Sequence, residues 1–492
     1  MKKNLNITLL ILLLCCGVQA FYAQNLTNVM SMPYPTAVKY LPPPPDSLSM
    51  AYSWDVHQYM YYKTLRDTER GQQALNDVNY GSIYVAQRME EIFGLNVTSP
   101  KYPSIRNMFN TAINYISQAC GAAKTYYNRQ RPFDRFNDQL FSSESASTLS
   151  KQGSYPSAHS MMGWAAALLL SEVNPELQDQ LYECGYEYGL SRLIIGAHWQ
   201  SDVDAARMMT SAMFARLHAN DDFMAMVGAA QASYDSITHH ERPLSLDQQH
   251  KFVRFLPQMP DSTTAAFAND VTRYYENKKL RDSDRGQQAQ ADDDMTVTGL
   301  SNAFSALLGI NITMQETPLL YNLVEKVVTQ TRDNCIALQQ ENPRTAPYTR
   351  LNDELLPGTS ASSVSSYPSC HAAVGWAVSL ALMDVCPTFQ NEILLRGRQY
   401  GQSRVITGAN WQSDVDAGQM LGGMVFANLV SDSTFRQLLS QARQEFNAVS
   451  SVTAIENSPS VDAVHHYTLD GRCATPGTHG IVVSSNGKKE IR

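Results

Sequence analysis

The sequence has little charge and no excess of basic residues. Charged residues make up 17% of its 492 residues, and the formal net charge at pH 7 is −8. A nucleic-acid-binding protein needs a basic face to neutralise phosphates, so the composition argues against that class, whereas a small anionic substrate needs only a few local cations. With 43% hydrophobic residues the chain is neither disordered nor fibrous, and it is long enough for two or three domains.

Beyond the N-terminus, the sequence lacks an apolar run long enough to cross a membrane. The longest such run, Met161 to Leu170, has about half of the ~20 residues that a spanning helix needs. At the N-terminus, Lys2 and Lys3 precede the apolar run from Leu9 to Leu14. Small residues then mark a cleavage site after Ala20. This pattern predicts a signal peptide over residues 1–20 and an exported protein without a membrane span, either periplasmic or at the cell surface.

The spacing of the cysteines argues against a zinc ribbon or a thioredoxin-like motif. Six of the eight cysteines follow the predicted cleavage site, and no two of them form a C-x-x-C pair. An oxidising compartment permits disulfides, whose pairing the sequence leaves open. The other two, Cys15 and Cys16, lie within the predicted signal peptide. A lipid anchor there is the weaker alternative, because the flanking residues suit it poorly.

The most informative feature that is present is a long internal repeat. The stretch from Leu65 to Ala74 recurs from Leu280 to Ala289, an offset of 215 residues. After a three-residue deletion, the stretch from Trp199 to Ala205 recurs from Trp411 to Ala417, an offset of 212. We therefore predict two tandem domains, over residues 34–237 and 253–449, joined by a linker over 238–252 and followed by a tail over 450–492.

Both repeats have the apolar patterning of helices. Ser157 precedes a long apolar stretch that ends at Val173, in the manner of an N-cap residue. Asn107 to Tyr127 has apolar residues near the 3.6-residue period. Because alternating strand patterns are scarce, we predict an all-α fold made of two tandem helical bundles.

Three segments of the first repeat combine cations, histidines and a carboxylate. They contain Lys124 with Arg131 and Pro132, then Pro156 to His159, then Ser191 and Arg192 with His198 and Asp202. Lysine and arginine side chains neutralise a phosphate dianion, and the guanidinium fork matches its oxygens. A capping serine leaves backbone N–H groups at the start of a helix for an anion. The segments therefore predict a phosphate-binding site.

The histidines of these segments suit phosphoryl transfer. If the third segment is helical, His198 and Asp202 share one face, and the carboxylate would fix the tautomer of the imidazole. His198 would then attack phosphorus, and His159 would protonate the leaving oxygen. The alternative is a metal site built from His159, His198 and Asp202; the three nearby cations argue against it because they repel a metal ion.

The patterns K-x6-R-P, P-S-x-H and S-R-x5-H-x3-D resemble the signature segments of the phosphatidic acid phosphatase type 2 superfamily. The surrounding sequence, as in Gly153 to His159 and Trp199 to Arg207, is most similar to bacterial class A nonspecific acid phosphatases. The resemblance implies an all-helical fold and hydrolysis of varied phosphomonoesters at acidic pH, with no metal and no cofactor. It implies that His198, with Asp202 as its carboxylate partner, is the nucleophile and that His159 is the acid. It also implies that phosphate is bound by Lys124, Arg131, Ser157, Arg192 and the amide of Ala158.

Two features of the resemblance leave alternatives open. The family usually has glycine where this chain has Ala158, which matters if that residue needs a positive φ. The superfamily also includes vanadium-dependent haloperoxidases, so that activity is one alternative, and a phosphate-binding scaffold with little turnover is another. The expected partner is a small phosphomonoester. Because the family often self-associates, we also expect an intramolecular pseudo-dimer or a homo-oligomer.

The second repeat lacks part of the same set. At the two offsets Gln339 replaces Lys124, Ala346 replaces Arg131 and Asn410 replaces His198, whereas Ser369, His371, Arg404 and Asp414 are retained. An amide nitrogen has no lone pair with which to attack phosphorus. We therefore predict that the second repeat is catalytically inert and has a structural role.

The predicted tail differs from the repeats. Apolar residues near Tyr467 and near Gly480, separated by turn residues, predict two short strands. The tail resembles the C-terminal sorting tails of proteins exported by type IX secretion, which implies that it directs secretion.

Overall fold

The computed structural model describes residues 27–239 and 252–456, together with the segments 466–468, 481–484 and 489–491. The predicted signal peptide over 1–20, most of the predicted linker and most of the predicted tail lie outside these residues. Residues 27–239 are the first half of the protein below, and residues 252–456 are the second half.

Both halves are helical, which confirms the predicted all-α fold. From residue 37 onward, the helices of the first half are α1 (Ala37–Tyr40), α2 (Met50–Lys63), α3 (Glu69–Asn76), α4 (Ser82–Phe93), α5 (Pro103–Gln118), α6 (Gly121–Tyr127), α7 (Pro132–Arg135), α8 (Ala146–Leu149), α9 (Ala158–Val173), α10 (Gln178–Ile194), α11 (Gln200–His218) and α12 (Asp221–Thr238), with a 3₁₀ turn at Pro175–Leu177.

Most helices of the first half have a counterpart in the second half, in the same order. The helices of the second half are α13 (Ala265–Lys278), α14 (Asp284–Ala291), α15 (Val297–Leu308), α16 (Pro318–Glu341), α17 (Pro347–Arg350), α18 (Cys370–Val385), α19 (Gln390–Thr407), α20 (Gln412–Ser431) and α21 (Ser433–Glu456), with 3₁₀ turns at Phe252–Phe255 and Pro387–Phe389. Helix α21 runs past residue 449, where the second domain was predicted to end.

The central helix of the first half begins as the sequence predicts. Ser157 is the N-cap of α9, and its hydroxyl accepts a hydrogen bond from the N–H of Ser160 at 3.3 Å. From His159 to Val173 every residue of α9 is buried. A helix that is apolar all round is surrounded by other helices, and α9 contacts α5, α10 and α11.

The helical pattern from Asn107 to Tyr127 belongs to two helices. Helix α5 ends at Gln118, and α6 begins at Gly121. The matching stretch of the second half, which has Ile336 where the first half has Gly121, is the single helix α16. Glycine costs about 1 kcal/mol in a helix interior, so its presence favours the interruption.

Helices α9 and α10 approach each other closely at a pair of glycines. A Cβ built on Gly185 would lie 2.6 Å from the carbonyl oxygen of Gly163 and 2.7 Å from Cβ of Ala167. A Cβ on Gly163 would in turn lie 2.9 Å from Cβ of Tyr188. Since α9 begins and α10 ends at the candidate site, this contact fixes the spacing of the two helices that support it.

The two halves pack against one another. Helix α11 contacts α18 and α20, and α2 contacts α13. Trp376 Nε1 donates to the hydroxyl of Ser211 at 3.2 Å. Arg443 of the second half lies 3.1 Å from the Asp221 carboxylate of the first half and 2.7 Å from Asp384. These contacts are compatible with the predicted intramolecular pseudo-dimer, which stays a prediction.

The tail contains an antiparallel sheet of three strands, one more than predicted: β1 (His466–Thr468), β2 (Ile481–Ser484) and β3 (Lys489–Ile491), with β2 in the centre. His466 pairs with Ser484, and Ile481 pairs with Ile491.

Among the described residues, none of the helices is both long enough and apolar enough to span a membrane.

The glycine contact predicts opposite effects for two Gly→Ala substitutions. Gly185→Ala places a methyl group against backbone and should lower the free energy of unfolding by about 1–3 kcal/mol. Gly228→Ala is the control, because Gly228 is exposed on α12 with nothing within 4 Å of the added Cβ. It should raise stability by about 0.5–1 kcal/mol. Denaturant unfolding followed by circular dichroism measures both, and equal effects would contradict the close packing.

Candidate active site

The predicted site residues come from three places in the first half and meet at one point. Lys124 lies on α6, and Arg131 is the N-cap of α7. Ser157, Ala158 and His159 begin α9. Arg192 lies in the last turn of α10, Asp202 lies in the first turn of α11, and His198 lies just before that helix. The contacts below link all three places.

His198 and Asp202 form the buried pair that the sequence predicts, although not on one helical face. Helix α11 begins at Gln200, so His198 precedes it. The imidazole Nδ1 nevertheless lies 3.3 Å from the Asp202 carboxylate, and both side chains are buried. Because a carboxylate only accepts, the hydrogen lies on Nδ1, and Nε2 keeps its lone pair. Arg131 Nη1 donates to this Nε2 at 3.1 Å.

The Asp202 carboxylate is held by partners that the sequence analysis missed. Arg129 donates to it at 2.5 Å and pairs with Asp55 at 2.6 Å. Asp55 also accepts hydrogen bonds from the N–H and hydroxyl of Ser201, at 2.9 and 2.5 Å. The N–H of Trp199 donates to Asp202 at 2.9 Å. A signal for these residues exists, because Asp55 and Arg129 recur as Asp270 and Arg344 at the 215-residue offset.

Two of the predicted cations share a backbone carbonyl. Lys124 Nζ donates to the carbonyl oxygens of Gly153 and Ser154, both at 3.1 Å. Arg131 Nη2 donates to the same Gly153 oxygen at 3.4 Å, and Arg131 Nη1 donates to Ala197 O at 2.9 Å. These bonds place both positive charges beside His198.

The third cation, Arg192, has donors to spare. Its Nη2 donates to both carboxylate oxygens of Glu144, at 3.1 and 2.9 Å. Its Nε and Nη1 are buried and have no hydrogen-bond partner, and neither does the buried hydroxyl of Ser154. A buried donor without a partner costs about 1–3 kcal/mol, so the arrangement favours an anionic ligand that would accept from Arg192. Glu144 was also missed by the sequence analysis.

His159 is positioned by the segment 77–80. Its Nε2 lies 2.9 Å from the carbonyl oxygen of Val78. Because a carbonyl only accepts, Nε2 carries the hydrogen, and Nδ1 is left for a second proton. The segment is itself anchored to α10, since the hydroxyl of Ser191 donates to Asp77 at 2.5 Å and that of Tyr188 donates to the Asn79 carbonyl at 3.2 Å.

Burial and charge shift the pKa values of the site. Burial and the charge of Arg131 hold the pKa of His198 well below its usual value, so its imidazole is neutral. Burial and the charge of Arg192 likewise lower the pKa of His159. Burial works to raise the pKa of Asp202, but Arg129 and His198 outweigh it and lower that pKa. Burial lowers the pKa of Lys124 to about 8, so it is cationic at acidic pH.

The structure answers the question raised by Ala158. This residue is the first of α9, and it is not among the residues with positive φ in the described part of the chain. Alanine therefore fits the backbone as well as glycine does, and its N–H belongs to the turn whose donors have no acceptor within the helix.

Comparison with known proteins agrees with this geometry. A model of the PAP2 superfamily matches residues 107–222, a range that contains Lys124 to Asp202. A non-specific acid phosphatase of Providencia stuartii is 42% identical over 195 residues, which cover 39% of this chain and 79% of that protein. The chain belongs to the PAP2 superfamily.

Further relatives of this PAP2 protein have similar names. A non-specific acid phosphatase of Salmonella typhimurium (strain LT2) is 39% identical over 179 residues, covering 36% of this chain and 72% of that protein. An acid phosphatase of Zymomonas mobilis is 33% identical over 184 residues, covering 37% and 70%. The resemblance inferred from the three sequence segments is therefore confirmed.

In the corresponding pocket of the second half of this PAP2 protein, the arginine is fully paired within the chain. Arg404, which stands where Arg192 stands, uses all three of its nitrogens. Nη1 pairs with the Asp293 carboxylate, Nη2 donates to Ser360 O at 2.6 Å, and Nε donates to Asn410 Oδ1 at 3.3 Å. At the 215-residue offset Asp293 replaces Val78, so a carboxylate lies where the first half has an apolar side chain.

Other residues of the second pocket are bonded to each other as well. Gln339 Nε2 donates to Pro368 O at 2.9 Å, and Asn410 Nδ2 donates to Ser366 O at 2.6 Å. Cys335 and Cys370, which correspond to Cys120 and Ala158, form a disulfide with a Cα–Cα distance of 5.5 Å. No ligand is needed to satisfy these groups.

The pKa of Asp414 is shifted in the opposite direction from that of its counterpart Asp202. Burial raises the pKa of Asp414 to about 7, against the opposing charge of Arg344. Its histidine partner is replaced by Asn410, and an amide cannot become positive.

Among the described residues, no group of three or more His, Cys, Asp or Glu side chains has the arrangement of a metal site.

Buried arginines at matching positions predict a shared loss of stability. Arg129→Ala would leave Asp55 and Asp202 buried without their cation, and should cost about 3–5 kcal/mol. Arg344→Ala is the matched substitution, since Arg344 pairs with Asp270 and Asp414 in the same way. Both should lower the midpoint of thermal unfolding by several degrees. A variant of either arginine that unfolds at the wild-type temperature would contradict this account.

Proposed function

We propose that the protein is an exported acid phosphatase, which hydrolyses phosphomonoesters of broad structure through a phosphohistidine intermediate and without a metal. The observation that carries the proposal is the neutral, carboxylate-held His198 beside three cations. The names of the relatives, all acid phosphatases, support the reaction class.

The cations of the site supply what a phosphoryl group needs. Arg192 offers two unpartnered nitrogens, and Lys124 and Arg131 lie beside His198. The start of α9, with Ser157 and the N–H of Ala158, adds the positive end of a helix dipole. Fixed positive charge stabilises the transition state of phosphoryl transfer, a role that a metal ion has in other enzymes. This supports metal independence.

His198 is suited to attack and His159 to proton transfer. In the first step Nε2 of His198 forms a bond to phosphorus while the bond to the leaving oxygen breaks, and His159 gives that oxygen its Nδ1 proton. In the second step His159 removes a proton from water, the water oxygen attacks phosphorus, and the bond to His198 breaks. Arg131 must shift its bond from Nε2 of His198 to the phosphoryl oxygens as substrate binds.

The second half is proposed to be inert and structural. Its Arg404 is fully paired with groups of the chain, including the Asp293 carboxylate in the place of a bound anion. Asn410 provides no nucleophile. The contacts between α11, α18 and α20 support a role as a packing partner of the first half.

Export is proposed from the ends of the chain. The signal-peptide pattern over residues 1–20 and the resemblance of the tail to secretion signals support it, and the relatives are bacterial acid phosphatases.

Substitution of the nucleophile tests the reaction and the inert second half together. His198→Ala in the full chain should abolish turnover of 4-nitrophenyl phosphate, because no other nucleophile remains. Asn410→Ala, at the matching position of the second half, should retain wild-type turnover. Chelator should leave the wild-type rate unchanged. Residual turnover that requires His371 would contradict inertness, and loss of activity in chelator that a metal restores would contradict metal independence.

Substitution of the acid tests the role of His159 through the leaving group. His159→Ala should lower kcat/KM by about 10²–10⁴-fold for an alkyl phosphate, whose leaving oxygen needs the proton, and far less for 4-nitrophenyl phosphate. Because the pKa of His159 is lowered, its cationic form is lost already at acidic pH, and wild-type turnover of alkyl esters should fall as pH rises. His371→Ala is the control. Equal losses on both esters would contradict the assignment.

A further inference from the structure

We propose that the site prefers phosphomonoesters whose leaving group carries an aromatic ring, and that Tyr80 is the residue that selects them. The inference rests on the proposed function, because it uses His159 as the group that protonates the leaving oxygen. An exposed side chain that contacts His159 would then also contact the leaving group.

The imidazole of His159 contacts the rings of two tyrosines. The ring of the buried Tyr188 is stacked at 6.3 Å between centroids, with an interplanar angle of 25°. The ring of Tyr80 meets the imidazole edge to face at 5.1 Å and 68°. Tyr80 is 52% exposed, so it is the one of the two rings that solvent reaches.

Tyr80 belongs to an exposed apolar patch next to the site. Ile83 and Tyr84, on the first turn of α4, are 51% and 41% exposed. Single exposed apolar residues are ordinary, but three within five residues at the edge of a polar site favour an apolar ligand group there. In the proposed reaction the cations bind the phosphoryl group. The exposed apolar patch is therefore left for the ester group.

The backbone before Tyr80 is held in place by hydrogen bonds. The carbonyl oxygens of Val78 and Asn79 accept from His159 and Tyr188. A ring held in place loses little conformational entropy when a second ring packs on it. An aromatic leaving group would therefore gain a stacking partner, whereas a small alkyl group would gain almost nothing.

The test compares two primary esters that differ in the ring, benzyl phosphate and ethyl phosphate, in the full chain. Wild type should have the higher kcat/KM for benzyl phosphate. Tyr80→Ala should lower that value about three- to tenfold, as expected for the loss of one aromatic pair, and should leave ethyl phosphate within about twofold. Tyr80→Phe keeps the ring and should retain the preference. Tyr275→Ala is the control, since Tyr275 is 49% exposed in the second half.

The outcomes separate this inference from the proposed function. Equal losses on both esters in Tyr80→Ala would mean that Tyr80 acts on His159 and not on the leaving group, and would overturn the inference. Unchanged kinetics on both esters would overturn it as well. Either result leaves the phosphatase assignment intact, whereas a wild-type protein that turns over neither ester would refute the assignment itself.

Discussion

The candidate site depends on one buried negative charge, the carboxylate of Asp202. Burial alone would neutralise this group, and a protonated carboxyl would no longer fix the hydrogen of His198 on Nδ1. Arg129 prevents that, and Asp55 holds Arg129 in turn. The proposed nucleophile is thus oriented by a chain of buried charged residues. In the proposed reaction, such supporting groups would keep the reacting atoms in place.

The elements that could be predicted from sequence were those with a local signal. Ser157 marks the start of α9 because capping involves residues three apart, and the three family segments mark the predicted site residues. Arg129, Asp55 and Glu144 have no such signal, since their partners lie 48 to 74 positions away along the chain. The break before Gly121 leaves no mark in the apolar pattern, because the periodicity is nearly the same in one long helix and in two consecutive ones.

A comparison of the halves separates what supports the fold from what supports chemistry. Asp270, Arg344 and Asp414 repeat the first-half network, so this network serves the helical bundle even where the nucleophile is absent. Several differences lie at groups that would meet a substrate. His198 is replaced by an amide, and Val78 is replaced by Asp293, whose carboxylate pairs with Arg404.

The three neighbouring cations of the first half have a consequence for its stability. Burial and the neighbouring cations lower the pKa values of Lys124 and Arg131, so the positive charges of this pocket oppose one another. In the second half, Gln339 and Ala346 replace two of these cations, and Asp293 pairs with Arg404. Binding of an anion to the folded state would therefore raise the free energy of unfolding of the first half more than that of the second.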